Sequence, residues 1–177
     1  MKKFLSPDHL FDGIFTVTPA FLLSEGISTL VLDIDNTLVT YSDPRPTPDV
    51  ISWVENIKNS GINVAIASNN HGARVDLFNE TLGVFTVSDS KKPARKAIRA
   101  VCGHFGVMPS SVAVIGDQIF TDVLCANRAG AKALLVTPLP YDENLFFRFK
   151  RMLERPVIAR FRRDHPEKCH VKGEHEQ

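Results

Sequence analysis

The stretch TLVLDIDNTL, Thr29–Leu38, decides the fold. Leu30–Ile34 is a short apolar run of the kind that forms a fully buried strand. Yet it carries two carboxylates one residue apart, Asp33 and Asp35. Taking a charge out of water is expensive unless the charge is paired or bound to a metal. The acids therefore sit where the strand leaves the core, or they are kept there for chemistry. Both readings point to the carboxyl end of a strand in a parallel sheet, where α/β proteins bind their ligands.

The flanking chain fits such a sheet. After the polar, Pro-rich loop TYSDPRPTPD, the spacing of Val50, Ile51, Val54 and Ile57 predicts a helix over Asp49–Asn59, stopped at Gly61. Ile62–Ala67 reads as a second strand, Ala73–Leu82 as a helix closing at Gly83, and Val84–Val87 as a weaker third strand. A helix over Pro93–Phe105 begins with proline, where a missing N–H does no harm. Val112–Gly116, a helix over Thr121–Ala129, and Lys132–Val136 complete the alternation. Strands alternating with helices imply a doubly wound, Rossmann-like three-layer α/β sandwich around a parallel sheet. The division expected is a domain over residues 1–155, followed by a basic and then polar tail over 156–177.

Composition sets the class. The 177 residues are 44% hydrophobic and 23% charged, as in an ordinary globular domain able to bury a core without staples. Lys and Arg total 21 against 20 Asp and Glu, which gives no sign of a nucleic-acid binder. Cys102, Cys125 and Cys169 are odd in number and form no C-x-x-C pair, which favours a reducing compartment. Met1–Leu10 has no apolar segment behind its lysines, and no run approaches the ~18 apolar residues of a membrane span. The expected location is cytoplasmic.

The other strand ends are polar too. The second ends at Ser68-Asn69-Asn70, Lys91-Lys92-Pro93 follows the third, and Gly116-Asp117 closes the fourth. Together they converge acids, a hydroxyl and an ammonium, a set suited to phosphoryl transfer. A carboxylate can attack phosphorus, and a hard cation such as Mg²⁺ is bound by carboxylates and phosphate oxygens. A second acid can protonate the leaving oxygen and then activate water. A lysine and a hydroxyl can take up charge on the equatorial oxygens.

DIDNTL, SNN, KKP and GDQIFTD, in this order, resemble the four motifs of the haloacid dehalogenase (HAD) superfamily of phosphatases. FDGIFTVTPAFLLSEGI, IASNN, KKPARKAI and VIGDQIFTDVLCANRAG resemble its capless YqeG-type subfamily, over about Phe4 to Arg155. That resemblance implies Asp33 as nucleophile and Asp35 as general acid and base, with Thr37 supporting the loop, Ser68 supporting the phosphoryl group, and Asn69 counted among the catalytic residues. Lys92, preferred to Lys91 because Pro93 follows it, would balance charge. On the metal side it implies Mg²⁺ held by the Asp33 carboxylate, the Asp35 carbonyl and Asp117, with Asp122 steering Lys92 or a metal-bound water. Members of the subfamily include phosphatases of phosphatidylglycerophosphate, so a lipid phosphate is an implied substrate. The 35 positions from Asp33 to Ser68 and 24 from Ser68 to Lys92 are consumed by the strands and helices, leaving no room for a large cap domain.

Other readings compete with these. A receiver-type phosphoacceptor domain also has an acid pair after its first strand, but needs an acceptor after the third, where only Asp89 in a polar loop is on offer. A non-catalytic scaffold would lack part of the set, and nothing is missing. Arg45 reads as a loop charge, Trp53 as core, and the tail with His165, Cys169, His170 and His175 as a frayed terminus rather than a metal site. Arg148–Arg163 holds seven cations against one acid, Glu154, interleaved with Phe149, Met152 and Leu153 and interrupted by Pro156. Either it is a terminal helix packing its apolar face on the sheet, or it rests peripherally on an anionic membrane.

Overall fold

The computed structural model describes residues 4–140 and 145–170, with the side chains of Phe146 and Phe147 also outside that description. The elements run β1 (His9–Phe11), α1 (Pro19–Ser24), β2 (Thr29–Leu32), α2 (Pro48–Asn59), β3 (Asn63–Ala67), α3 (Gly72–Leu82) and β4 (Phe85–Val87). They continue with α4 (Lys96–Phe105), β5 (Val112–Gly116), a wide π-type turn (Ile119–Val123) leading into α5 (Leu124–Ala129), β6 (Lys132–Val136), α6 (Leu145–Asp164) and β7 (Cys169–His170). The strands form one sheet in the order β4-β3-β2-β5-β6-β1-β7, every pairing parallel.

Strand periodicity builds the three layers. Leu30 and Leu32 enter one apolar cluster with Val50, Val54, Ile57, Val75 and Phe78 of α2 and α3. Val31, between them, enters the other with Ile98, Val101, Val123 and Phe161 of the opposite layer. β3, β5 and β6 alternate in the same way, as side chains with period two must when both faces are covered. Trp53 is core as expected, its indole N–H donating to the Val17 carbonyl at 3.0 Å. Between β2 and α2 lie a short Asp35–Val39 bridge and a loop, with no large cap.

Four expectations change. The edge strand β1 and helix α1 were not read from the sequence; both are short, and β1 carries no run long enough to register as periodic. The helix expected from Pro93 starts at Lys96, because Lys91–Arg95 form a turn whose Lys91 φ of +53° is non-helical. Pro156 does not break the last helix: α6 runs through it, so the expected boundary after Arg155 falls inside a helix. Proline there deprives the Met152 carbonyl of its partner, and both residues lie on the exposed side, where water replaces the lost bond. The described part of the tail packs on the sheet edge, with Leu10 opposite Cys169 and Phe11 opposite His170. His175 lies outside the described residues.

Candidate active site

The central strands β2, β3 and β5 deliver the site at their carboxyl ends. Asp33 follows β2, its N–H donating to the Ile115 carbonyl of β5 at 3.0 Å, so the strand pairing itself fixes the acid. The chain then turns through Asn36, whose φ of +62° an asparagine tolerates better than most residues. That turn returns Thr37, whose hydroxyl lies 3.4 Å from both Asp33 Oδ2 and Asp117 Oδ1.

Lys92 is the electrostatic centre. Its ammonium lies 2.5 Å from Asp33 Oδ1 and 2.7 Å from Asp122 Oδ1, and the residue is only 7% exposed. Lys91 is exposed, so of the two lysines it is Lys92 that is buried against the acids. Burial alone would lower the Lys92 ammonium, but Asp122 and Asp33 more than reverse this and hold it above its ordinary range. Burial pushes the Asp33 carboxyl up to about 8; Lys92 opposes the rise, while Asp122 and Asp117 add to it. Burial likewise pushes Asp117 up to about 6, with Arg151 opposing and Asp122 adding.

One carboxylate oxygen from each of Asp33, Asp117 and Asp122 lies within 4.8 Å of the others, the one such group among the described residues that could hold a metal. The tail residues His165, Cys169 and His170 do not form another. Asp122 comes from the π-type turn after β5 and reaches back over Gly116, where an added Cβ would lie 2.3 Å from the Asp122 Cγ. Only glycine lets this acid approach.

Two expected residues are placed less directly. Asn69 is spent on the lysine loop: its Oδ1 accepts from the Lys92 N–H at 2.7 Å and the Ser90 hydroxyl at 2.8 Å, and its amide donates to the Lys92 carbonyl at 3.2 Å. Asp35 faces Arg74, which donates through Nη2 at 2.6 Å and Nε at 3.1 Å, while Asn70 holds its other oxygen. Ser68 is buried, its oxygen accepting from the Asn70 N–H at 3.1 Å. Arg45 makes an exposed pair with Glu80, in keeping with a loop charge.

Sequence reasoning missed Arg74, Arg151 and Glu154. Arg74 sits in the first turn of α3, where a cation opposes the helix dipole, and that anomaly was the available signal. Arg151 forms an ion pair with Asp117 Oδ2 and donates to the Asp117 carbonyl at 2.5 Å. Glu154, 1% exposed, was visible only as the lone acid in a basic stretch.

The arrangement gathers a buried carboxyl, a buried ammonium and an oxygen-donor cluster at the carboxyl ends of the central strands. Residues 90–138 match the HAD-hydrolase-like family. Over 174 residues the chain is 37% identical to a probable phosphatase, YqeG, of Bacillus subtilis, covering 98% of this chain and 99% of that one. It is 30% identical over 173 residues to a chloroplastic/mitochondrial phosphatidylglycerophosphate phosphatase of Arabidopsis thaliana, covering 92% of this chain and 49% of that protein. A solved structure of the cobalt-bound form of the deoxy-D-mannose-octulosonate 8-phosphate phosphatase of Haemophilus influenzae shares the fold with a TM-score of 0.52 at 14% identity, covering 76% of this chain and 89% of that one.

Proposed function

Since this chain belongs to the YqeG-type family of haloacid dehalogenase-like phosphatases, we propose that it hydrolyses a phosphomonoester in a Mg²⁺-dependent reaction through a phosphorylated Asp33. The observation that carries this reading is the buried Lys92 bridge between Asp33 and Asp122, with Asp117 beside them. Three carboxylates against the Lys92 ammonium and the Arg151 guanidinium leave an excess of buried acid, and hard oxygen donors are what Mg²⁺ takes. Asp33, Asp117 and the Asp35 backbone carbonyl would hold the ion, with Asp122 outside them. When bound, it neutralises charge on the transferring phosphoryl group.

The chain's own residues divide the remaining work. An Asp33 carboxylate oxygen attacks phosphorus while the ester oxygen leaves with a proton from Asp35. Asp35 then takes a proton from water, whose oxygen attacks the phosphorus and frees Asp33 and inorganic phosphate. Lys92 and Ser68 stabilise the equatorial oxygens, Thr37 supports the Asp33 carboxylate, and Asn69 fixes the backbone that aims Lys92. Asp35 must leave Arg74 to reach the ester oxygen, and an arriving phosphate dianion competes for that guanidinium. The test is p-nitrophenyl phosphate turnover with Mg²⁺, followed by borohydride trapping of the acyl phosphate. Wild-type rates from Asp33→Asn, or full rates in excess chelator, would sink the mechanism.

A finer reading, that the substrate is phosphatidylglycerophosphate or a related lipid phosphate, draws support from the named activity of the Arabidopsis relative and from α6. The N-terminal half of this helix is inverted. Leu145, Phe149, Met152 and Leu153 are 47–80% exposed, whereas Lys150, Arg151 and Glu154 turn inward to the site. Arg148 and Arg155, both exposed, flank the apolar stripe, and Arg160, Arg162 and Arg163 extend the charge. This face suits an anionic lipid surface, with apolar side chains entering the headgroup boundary and cations at its rim. No helix among the described residues is long and apolar enough to cross a membrane. On this reading the α6 stripe seats the enzyme peripherally on an anionic lipid surface.

A further inference from the structure

The inward face of α6 holds the loop that carries Asp117 and Asp122. The π-type turn Ile119–Val123 begins after Gln118, whose side chain gives no cap, so the first N–H groups of that turn need an acceptor. Glu154, from a helix that begins beyond β6, supplies it: Oε1 accepts from the Ile119 N–H at 2.9 Å and the Phe120 N–H at 3.2 Å. One turn back, Arg151 Nη1 lies 3.5 Å from Glu154 Oε2 and donates to the Asp117 carbonyl at 2.5 Å, while Nη2 takes Asp117 Oδ2. Lys150, on the same side, reaches Gln118 Oε1. The helix thus grips Asp117, Gln118, Ile119 and Phe120 in succession.

This grip leaves one oxygen of Asp117 for other work. With Oδ2 on Arg151, Oδ1 lies 3.4 Å from the Thr37 hydroxyl, which also reaches Asp33. An arginine that orients a ligating carboxylate without covering its free oxygen stands where outer partners of metal sites stand. We propose that Arg151 and Glu154 are positioning residues for the cation site: Glu154 caps the Asp117–Asp122 loop, and Arg151 turns the Asp117 carboxylate so that Oδ1 faces Asp33. This rests on the reading of the acid cluster as a metal site.

The test must separate geometry from charge, because removing a cation beside an acidic cluster by itself favours metal binding. Arg151→Lys keeps the charge and loses the planar two-point grip, and Glu154→Gln keeps an acceptor for the two N–H groups while Glu154→Ala does not. The probe is Mn²⁺, with free ion measured by electron paramagnetic resonance and folding checked by circular dichroism. The expected result is Mn²⁺ binding weakened about 10–100-fold in Arg151→Lys and Glu154→Ala, with Glu154→Gln close to wild type. At saturating Mn²⁺ the kcat of Arg151→Lys should recover, leaving the defect in the metal requirement. If Glu154→Ala does not fold, Arg151→Lys and Glu154→Gln decide the matter. Affinities of Arg151→Lys and Glu154→Ala within twofold of wild type would make α6 mere packing, and a Gln variant as weak as Ala would make the effect one of charge; either overturns the proposal. A wild-type chain that binds no Mn²⁺ would instead overturn the metal-site reading itself.

Discussion

Replacing the proposed nucleophile, Asp33, should stabilise the metal-free protein. Burial raises the Asp33 carboxyl from 3.8 to about 8, so between these pH values the folded chain holds a proton that the unfolded chain has released. The unfolded state then binds fewer protons, and the free energy of unfolding falls as pH rises through this window. At about 1.4 kcal/mol per pH unit the ceiling on this loss at pH 8 is roughly 5 kcal/mol. Asp33→Asn removes the buried charge but also one partner of Lys92. The ammonium keeps Asp122 at 2.7 Å, which limits that damage. The net expectation is a variant about 2 kcal/mol more stable than wild type at pH 8 in chelator, the gain fading towards pH 5. With Mg²⁺ at a hundred times its Kd, wild type should recover about 2.7 kcal/mol and the variant markedly less. Urea unfolding at pH 5 and pH 8, with chelator or Mg²⁺, measures all of this. A variant less stable than wild type at pH 8 without metal would refute the reasoning, since Asp33 would then be a favourable ion-pair partner of Lys92 and its burial no burden to the fold.

Other perturbations test separate parts of the site. Asp35→Asn should fold normally and lose about 10²–10⁴-fold in turnover of p-nitrophenyl phosphate, the usual contribution of a positioned proton donor. Gly116→Ala drives a Cβ to within 2.3 Å of Asp122, so it should cost about 1–3 kcal/mol in thermal unfolding, as overpacking does, and weaken Mn²⁺ binding as the acid is displaced. Ca²⁺, which prefers more ligands at longer distances, should inhibit in competition with Mg²⁺. Sedimentation with phosphatidylglycerol vesicles should carry the wild-type chain down at low salt and not at high salt. Phe149→Ser with Met152→Ser should abolish this, whereas a wild type that stays in the supernatant at low salt would leave the α6 stripe without a lipid partner.

The order of strand ends and the chemistry on them were legible in the sequence because both are local. An apolar run that ends in two acids marks a strand reaching a crevice, and Ser68, Lys92 and Asp117 follow at the ends of later elements. Lys92 could be preferred to Lys91 before any packing was known, since the following Pro93 set it apart. Partners across the site were not legible, because a contact such as Arg74 with Asp35 joins residues 39 positions apart that only the sheet brings together. Asn69 read as a site residue, but packing turned its amide onto the Lys92 backbone. The last helix shows the limit most plainly. Its sequence pattern gives a basic stretch with interleaved apolar residues, and the usual assignment solvates the charges and buries the rest. The tertiary structure reverses this for Lys150, Arg151 and Glu154, because the loop after β5 presents uncapped N–H groups and a buried carboxylate. Their desolvation is relieved by charged partners, while Phe149 and Met152 stay more than half exposed.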